Sequence, residues 1–186
     1  MEKTKTALAF LAAASMSGLC AAQIPNASSS PAASAASATP IAEGRISGVL
    51  TCRRPDPIHR VDAGEWSGHY VTASRTPCTW TKPAEINGLK TMDGYSAGSS
   101  DVEGTVNSER GWHVTKMSNG DRIYVAYRGK GILANGGAPI SGEGTWNFKG
   151  GSGKLAKLQG MGTYRGRVGA DGSMTMAIEG DYKIYP

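Results

Sequence analysis

The sequence predicts an all-β fold: a single closed antiparallel β-barrel of about eight strands spanning residues 43 to 186. Three observations carry this. The chain has 26 glycines and only 19% charged residues, and helix-favouring runs are almost absent after residue 43, which suits short strands and turns. Arg122 to Arg128 and Met174 to Ile184 alternate apolar and polar residues with the period of two that an extended chain imposes. Asn119-Gly120, Asp171-Gly172 and the run Gly150-Gly151-Ser152-Gly153 supply the residues that tight reversals need.

The chain opens with the parts of an export signal over residues 1 to 22. Lys3 and Lys5 form a positive start, Ala7 to Ala14 an apolar core too short for a membrane-spanning helix, and Cys20-Ala21-Ala22 a run of small residues for cleavage. Cys20 also raises lipid modification. Leu19 stands where that processing wants a small residue, so soluble export, periplasmic or extracellular, is favoured over a lipoprotein. Residues 23 to 42 are rich in Ala, Ser and Pro and poor in large apolar groups. Such a segment cannot offset its ordering entropy and reads as a linker.

Arg45 to Cys52 reads as the first strand, and Pro55 and Pro57 then force a loop. Glu65 to Thr72 reads as the second, with Trp66, Gly68 and Tyr70 on one face and His69 on the other, outward. Pro77, Pro83 and the run Asp93 to Ser100 make the middle of the chain read as loops. Strand pattern returns from Val102 to Met117, then at Ile123, Val125 and Tyr127. Trp146 and Phe148 share a face of the next strand. Lys154 to Leu158 fits one helical turn or a bent edge, and Gly160 and Gly162 read as a break before Tyr164. The last strand places Met174, Met176, Ile178, Tyr182 and Ile184 on one face. Thr175, Ala177, Glu179, Asp181 and Lys183 occupy the other. A count of about eight suits a barrel whose interior just fills or holds one small ligand.

The segment Gly144-Thr145-Trp146-Asn147-Phe148-Lys149-Gly150-Gly151-Ser152-Gly153-Lys154-Leu155, followed by Leu158-Gln159-Gly160-Met161-Gly162-Thr163-Tyr164, resembles the glycine signature of allene oxide cyclase barrel-like proteins. Dirigent proteins carry a similar run. The resemblance is best over about residues 119 to 186 and looks closest to bacterial secreted members of unassigned function. It implies an eight-stranded antiparallel barrel, of lipocalin-like architecture, with an apolar interior. The signature is structural, so no catalytic residue is carried over with it.

The chemistry-bearing residues are few. Cys52 and Cys78 are the cysteines left after leader removal, and in an exported chain they are expected to pair. A metal site built from them with His59 or His69 fits no zinc spacing, so no metal is expected. Gly150 to Lys154 lacks the leading glycine and the following hydroxyl of a phosphate loop, and no cofactor fingerprint occurs elsewhere. A histidine base at His59, His69 or His113 needs an orienting carboxylate such as Glu65 or Glu109, which sequence does not place. Glu179 and Asp181 share a face opposite the apolar stripe and read as solvated. The net charge of +5 is scattered, which gives no basis for specific nucleic-acid binding.

Tyr127, Trp146, Phe148, Met174, Met176 and Ile178 are the expected interior: a packed core, or a core that also lines a pocket for a small apolar ligand. The function expected is a non-enzymatic module that binds such a molecule or a surface partner. The alternative is an isomerase or cyclase-like enzyme that works by confinement. Cavity polarity separates them: a dry pocket lined only by apolar side chains speaks for binding or mere packing, and a fixed carboxylate or histidine together with an ordered water site speaks for catalysis.

Overall fold

The computed structural model describes residues 38 to 186 apart from Glu65 and Gly136. The export signal, most of the linker and the expected strand start at Glu65 lie outside the described residues. Ten strands form in order: β1 Ala42–Cys52, β2 Ile58–Asp62, β3 His69–Lys82, β4 Glu85–Ile86, β5 Leu89–Glu103, β6 Val106–Met117, β7 Arg122–Leu133, β8 Pro139–Gly151, β9 Leu158–Val168 and β10 Met174–Ile184. Every pairing is antiparallel. The ladder runs β3-β1-β10-β9-β8-β7-β6-β5, and β5 pairs back onto β3, so eight strands close a barrel. Closure leaves no long edge unpaired. The short β2 continues the line of β1 beyond the Pro55–Pro57 loop by pairing with β3, and β4 forms a small hairpin with β5.

One end of the barrel is packed shut. Leu155, on a single helical turn at Gly153–Leu155, and Leu158 plug it together with Ile86, Met117 and Ile184, all essentially inaccessible. Burial of that order, about 1.5–3 kcal/mol per large side chain, makes this end the anchor of the fold. Tyr182 ties the turn Asn87-Gly88 to it, because Asn87 N–H donates to the Tyr182 hydroxyl at 2.9 Å. The opposite end is ringed by the segments at 53–58, 137–139 and 169–173.

The interior is built from rings laid on glycines. A Cβ at Gly162 would lie 1.9 Å from Glu179 O and 2.5 Å from Trp146, and one at Gly180 would lie 2.6 Å from the same ring. The Trp146 indole therefore occupies space that only paired glycines leave free. Gly129 and Gly144 leave room for Tyr164 in the same way. These close approaches correct the expectation that Gly160 and Gly162 interrupt a strand: β9 runs through both without a break.

The loop-rich middle is also corrected. β3 passes through Pro77, and β5 contains the whole of Asp93 to Ser100. In an antiparallel strand a residue's N and O point to the same neighbour. Pro77 O accepts from Arg53 N at 3.1 Å, so its missing donor faces the gap between β1 and β2, where no partner is lost. The small residues of β5 read as loop because they carry little hydrophobic signal. Gly98 among them, with Gly111 opposite it on β6, makes way for the Tyr127 hydroxyl. The expected second strand begins four residues late, at His69, and Val102–Met117 divides into the ends of a hairpin. Trp66 does not share a face with Tyr70. It stacks on the outward His69 ring at 4.9 Å, while Tyr70 turns inward.

Cys52 and Cys78 form a disulfide, directly opposite each other across the β1–β3 seam. No helix among the described residues is long and apolar enough to cross a membrane.

Candidate functional site

Because strands alternate, one residue in two points into the barrel. Near the packed end these are large and apolar. Toward the open end they leave a cavity of about 340 Å³. Its two sides differ in chemistry. From β9, β10 and β1 come Val168, Met174, Met176, Ile178 and Leu50. From β3, β5 and β6 come Thr72, Ser74, Thr76, Ser96, Ser100, Asn107, Glu109 and His113. Tyr127, Trp146, Phe148 and Tyr164 stand between them. All six residues expected in the interior lie on this wall. The interior is mostly apolar, as the family resemblance implies, but hydroxyls, an amide and a carboxylate line the side formed by β3, β5 and β6.

Glu109 and Tyr164 meet inside the barrel. The Tyr164 hydroxyl donates to Glu109 Oε1 at 2.5 Å, and the Tyr127 ring sits edge-on to Tyr164 at 6.3 Å. Burial, the nearby Glu109 charge and the hydrogen bond raise the Tyr164 phenol well above its ordinary range. Burial and then the Glu109 charge push Tyr127 up to about 12. Both phenols therefore stay protonated at neutral pH, and Tyr164 donates to Glu109. No lysine, arginine or histidine pairs with Glu109 among the described residues. Asn107, two residues earlier on the same face of β6, has a buried Oδ1 without a hydrogen-bond partner.

His113 lies deeper, 6% exposed. Its Nδ1 is 2.9 Å from Ser96 Oγ and its Nε2 2.6 Å from Thr115 Oγ1, which accepts from Trp80 Nε1 at 3.0 Å. Burial lowers its pKa from 6.5 to about 4, so the ring is neutral at pH 7. Unfolded, the ring titrates near 6.5 and takes up a proton that the fold refuses. Stability is therefore highest above pH 6.5 and falls as pH drops toward about 4, where the loss levels off. The shift corresponds to about 3 kcal/mol. Urea midpoints measured across this range should fall with pH, and His113→Gln should flatten that part of the slope.

The remaining sequence candidates lie outside the cavity. His69 Nε2 is 3.0 Å from Asp101 Oδ1 on the outer wall, and His59 is exposed on β2. Glu179 and Asp181 are exposed, Asp181 facing Arg45 at 3.8 Å. At Gly150–Lys154 the Asp121 carboxylate stands against Gly153, where a phosphate loop would need its anion. At the open rim Arg60 covers the inward Tyr70 ring at 3.7 Å and pairs with Asp62 at 2.8 Å, and Arg53 and Pro55 complete the edge. No group of three metal-ligating side chains occurs among the described residues.

Sequence reasoning named Glu109 and His113 only in passing and missed Asn107 and Tyr164 as site residues. Asn107, Glu109, Gly111, His113, Thr115 and Met117 do alternate, and that was the available signal. A rule that sends apolar residues inward cannot find a polar stripe that faces the inside.

No protein-family model matches the chain, and no curated protein matches it in sequence. Among solved structures, a conserved protein of unknown function from Rhodopseudomonas palustris superposes with a TM-score of 0.45 at 10% identity, covering 75% of this chain and 98% of that one. A pterocarpan synthase dirigent protein superposes with a TM-score of 0.47 at 13% identity, covering 78% of this chain and 92% of its own.

Proposed function

We propose that this chain is an exported barrel that encloses one small, largely apolar molecule carrying a hydrogen-bonding group, and that it holds the molecule without transforming it. The observation that carries the reading is the divided cavity. A wall of Met174, Met176 and Ile178 faces a wall of hydroxyls, Asn107 and Glu109 across about 340 Å³. Ligand sites of this size are mostly apolar, with a few polar groups that fix orientation. Methionines adapt to varied apolar shapes. Export rests on the composition of residues 1 to 22 and agrees with the Cys52–Cys78 disulfide. The same reading treats the segment that precedes β1 as a tether for the barrel.

Native mass spectrometry of protein purified from its own source tests this. A reproducible mass excess that dissociates on activation is expected. Met176→Trp, which fills the cavity from the apolar side, should abolish the excess while the folded spectrum persists. A bare mass in every preparation counts against the reading.

A second reading, an isomerase or cyclase-like enzyme acting by confinement, is favoured by one feature. Glu109 and Tyr164, a carboxylate and a protonated phenol, meet within the cavity. Recovery of a chemically altered compound with the wild type, and of an unaltered one with Glu109→Gln, favours that reading instead.

A further inference from the structure

Resting on that reading of the cavity, we propose that its ligand is a protonated amine: an ammonium group seated on Glu109, with an apolar body against Met174, Met176 and Ile178. Glu109 is a carboxylate within a barrel, and the one hydrogen bond it accepts among the described residues comes from Tyr164. A carboxylate has two oxygens and about four acceptor sites, so most of its capacity is open to a ligand's donors. Asn107 Oδ1, on the same face of the same strand and nearer the open end, is a second unmet acceptor. Glu109 is half-buried, so a ligand head that covers it displaces the water it can reach and must bring a cation or several donors in its place.

The surroundings select among donors. The Met174 methyl and Glu109 Oε1 converge on Gly142, where an added Cβ would lie 2.9 and 3.7 Å from them. The carboxylate is thus flanked by a methyl-thioether surface. That juxtaposition suits a charged head joined directly to a hydrocarbon body. A ligand anion placed here would meet Glu109 charge against charge. Arg53, the cation lining the cavity, stands at the rim beside Pro55. A neutral alcohol satisfies Glu109 with one donor and leaves its charge uncompensated, whereas an ammonium supplies up to three donors and the opposite charge.

The test uses three probes of one shape, naphthylethylamine, naphthylethanol and naphthylacetic acid, titrated calorimetrically into the mature wild-type protein at pH 7. The neutral N-phenylnaphthylamine serves as a charge-independent reporter of the cavity. The amine should bind at least about tenfold more tightly than the alcohol, the difference expected of a charge-assisted hydrogen bond, and the acid most weakly. Glu109→Gln keeps the shape and the bond from Tyr164. It should bring the amine to the alcohol's affinity while N-phenylnaphthylamine binds as before. Equal affinities for amine and alcohol, or an acid that binds best, overturn the proposal while leaving the cavity reading intact. Failure of all four compounds to bind the wild type overturns both. Should Glu109→Gln not fold, the ranking of the three probes on the wild type decides alone.

Discussion

Trp146→Ala should lower the stability of the barrel by about 3–5 kcal/mol, the range for deleting a large buried aromatic side chain. The indole is 6% exposed, packs edge-on against Phe148 at 5.0 Å, and lies over Gly162 and Gly180. Neither glycine has a side chain that can relax into the vacated space, so the hole stays open and the loss belongs at the high end. The Nε1 donor bonds Thr163 O at 3.1 Å, which Trp146→Phe removes while keeping most of the ring. That variant should cost roughly 1–3 kcal/mol. Urea denaturation measures both. A loss below about 1 kcal/mol for the alanine variant would mean that the indole stands in solvent rather than in the packed interior.

The ring-on-glycine pattern explains which parts of the molecule the sequence revealed. Met174 to Ile184 is plain because β10 sends an apolar row inward, interrupted only by Gly180, and a row ending in Glu179, Asp181 and Lys183 outward. Ile123, Val125 and Tyr127 were plain for the same reason. β5 was opaque because its inward row is Thr91, Gly94, Ser96, Gly98 and Ser100, chosen to accommodate rings and hydroxyl contacts that other strands supply. Its size pattern answers to Tyr127, a residue near in space and distant in sequence. The Asn87-Gly88 turn, with both residues at positive φ, carries the same dipeptide signal as Asn119-Gly120. The candidate site fell into the same blind region. Asn107, Glu109 and His113 face inward because the cavity side of β6 is polar, which no single strand announces. The disulfide was legible from cysteine count, but its place on the barrel seam was not.

Loss of that disulfide should be the second large effect. Cys52 and Cys78 are 26 residues apart in sequence, and closing a loop of that size removes chain entropy worth about 3.5 kcal/mol at 25 °C in the loop-closure model. The bond also spans the barrel's shortest closing ladder. β1 and β3 pair only from Val49 opposite Lys82 to Cys52 opposite Cys78, with a register shift within that stretch, whereas β5 and β6 pair from Thr91 to Glu103. Beyond Cys52 the chain leaves the sheet for the Pro55 loop before β2 takes up β3 again. A seam with so few backbone bonds opens first once its cross-link is gone. The double variant Cys52→Ala, Cys78→Ala should therefore lose about 3–4 kcal/mol in urea denaturation. Amide exchange should also rise at residues 49–52 and 78–82 before it rises in β9 and β10. Because Leu50, Cys52 and Thr76 belong to the cavity wall, the same opening should weaken binding of N-phenylnaphthylamine under native conditions. A uniform rise in exchange across all eight strands would show instead that the barrel unfolds as one unit and that the seam has no separate weakness.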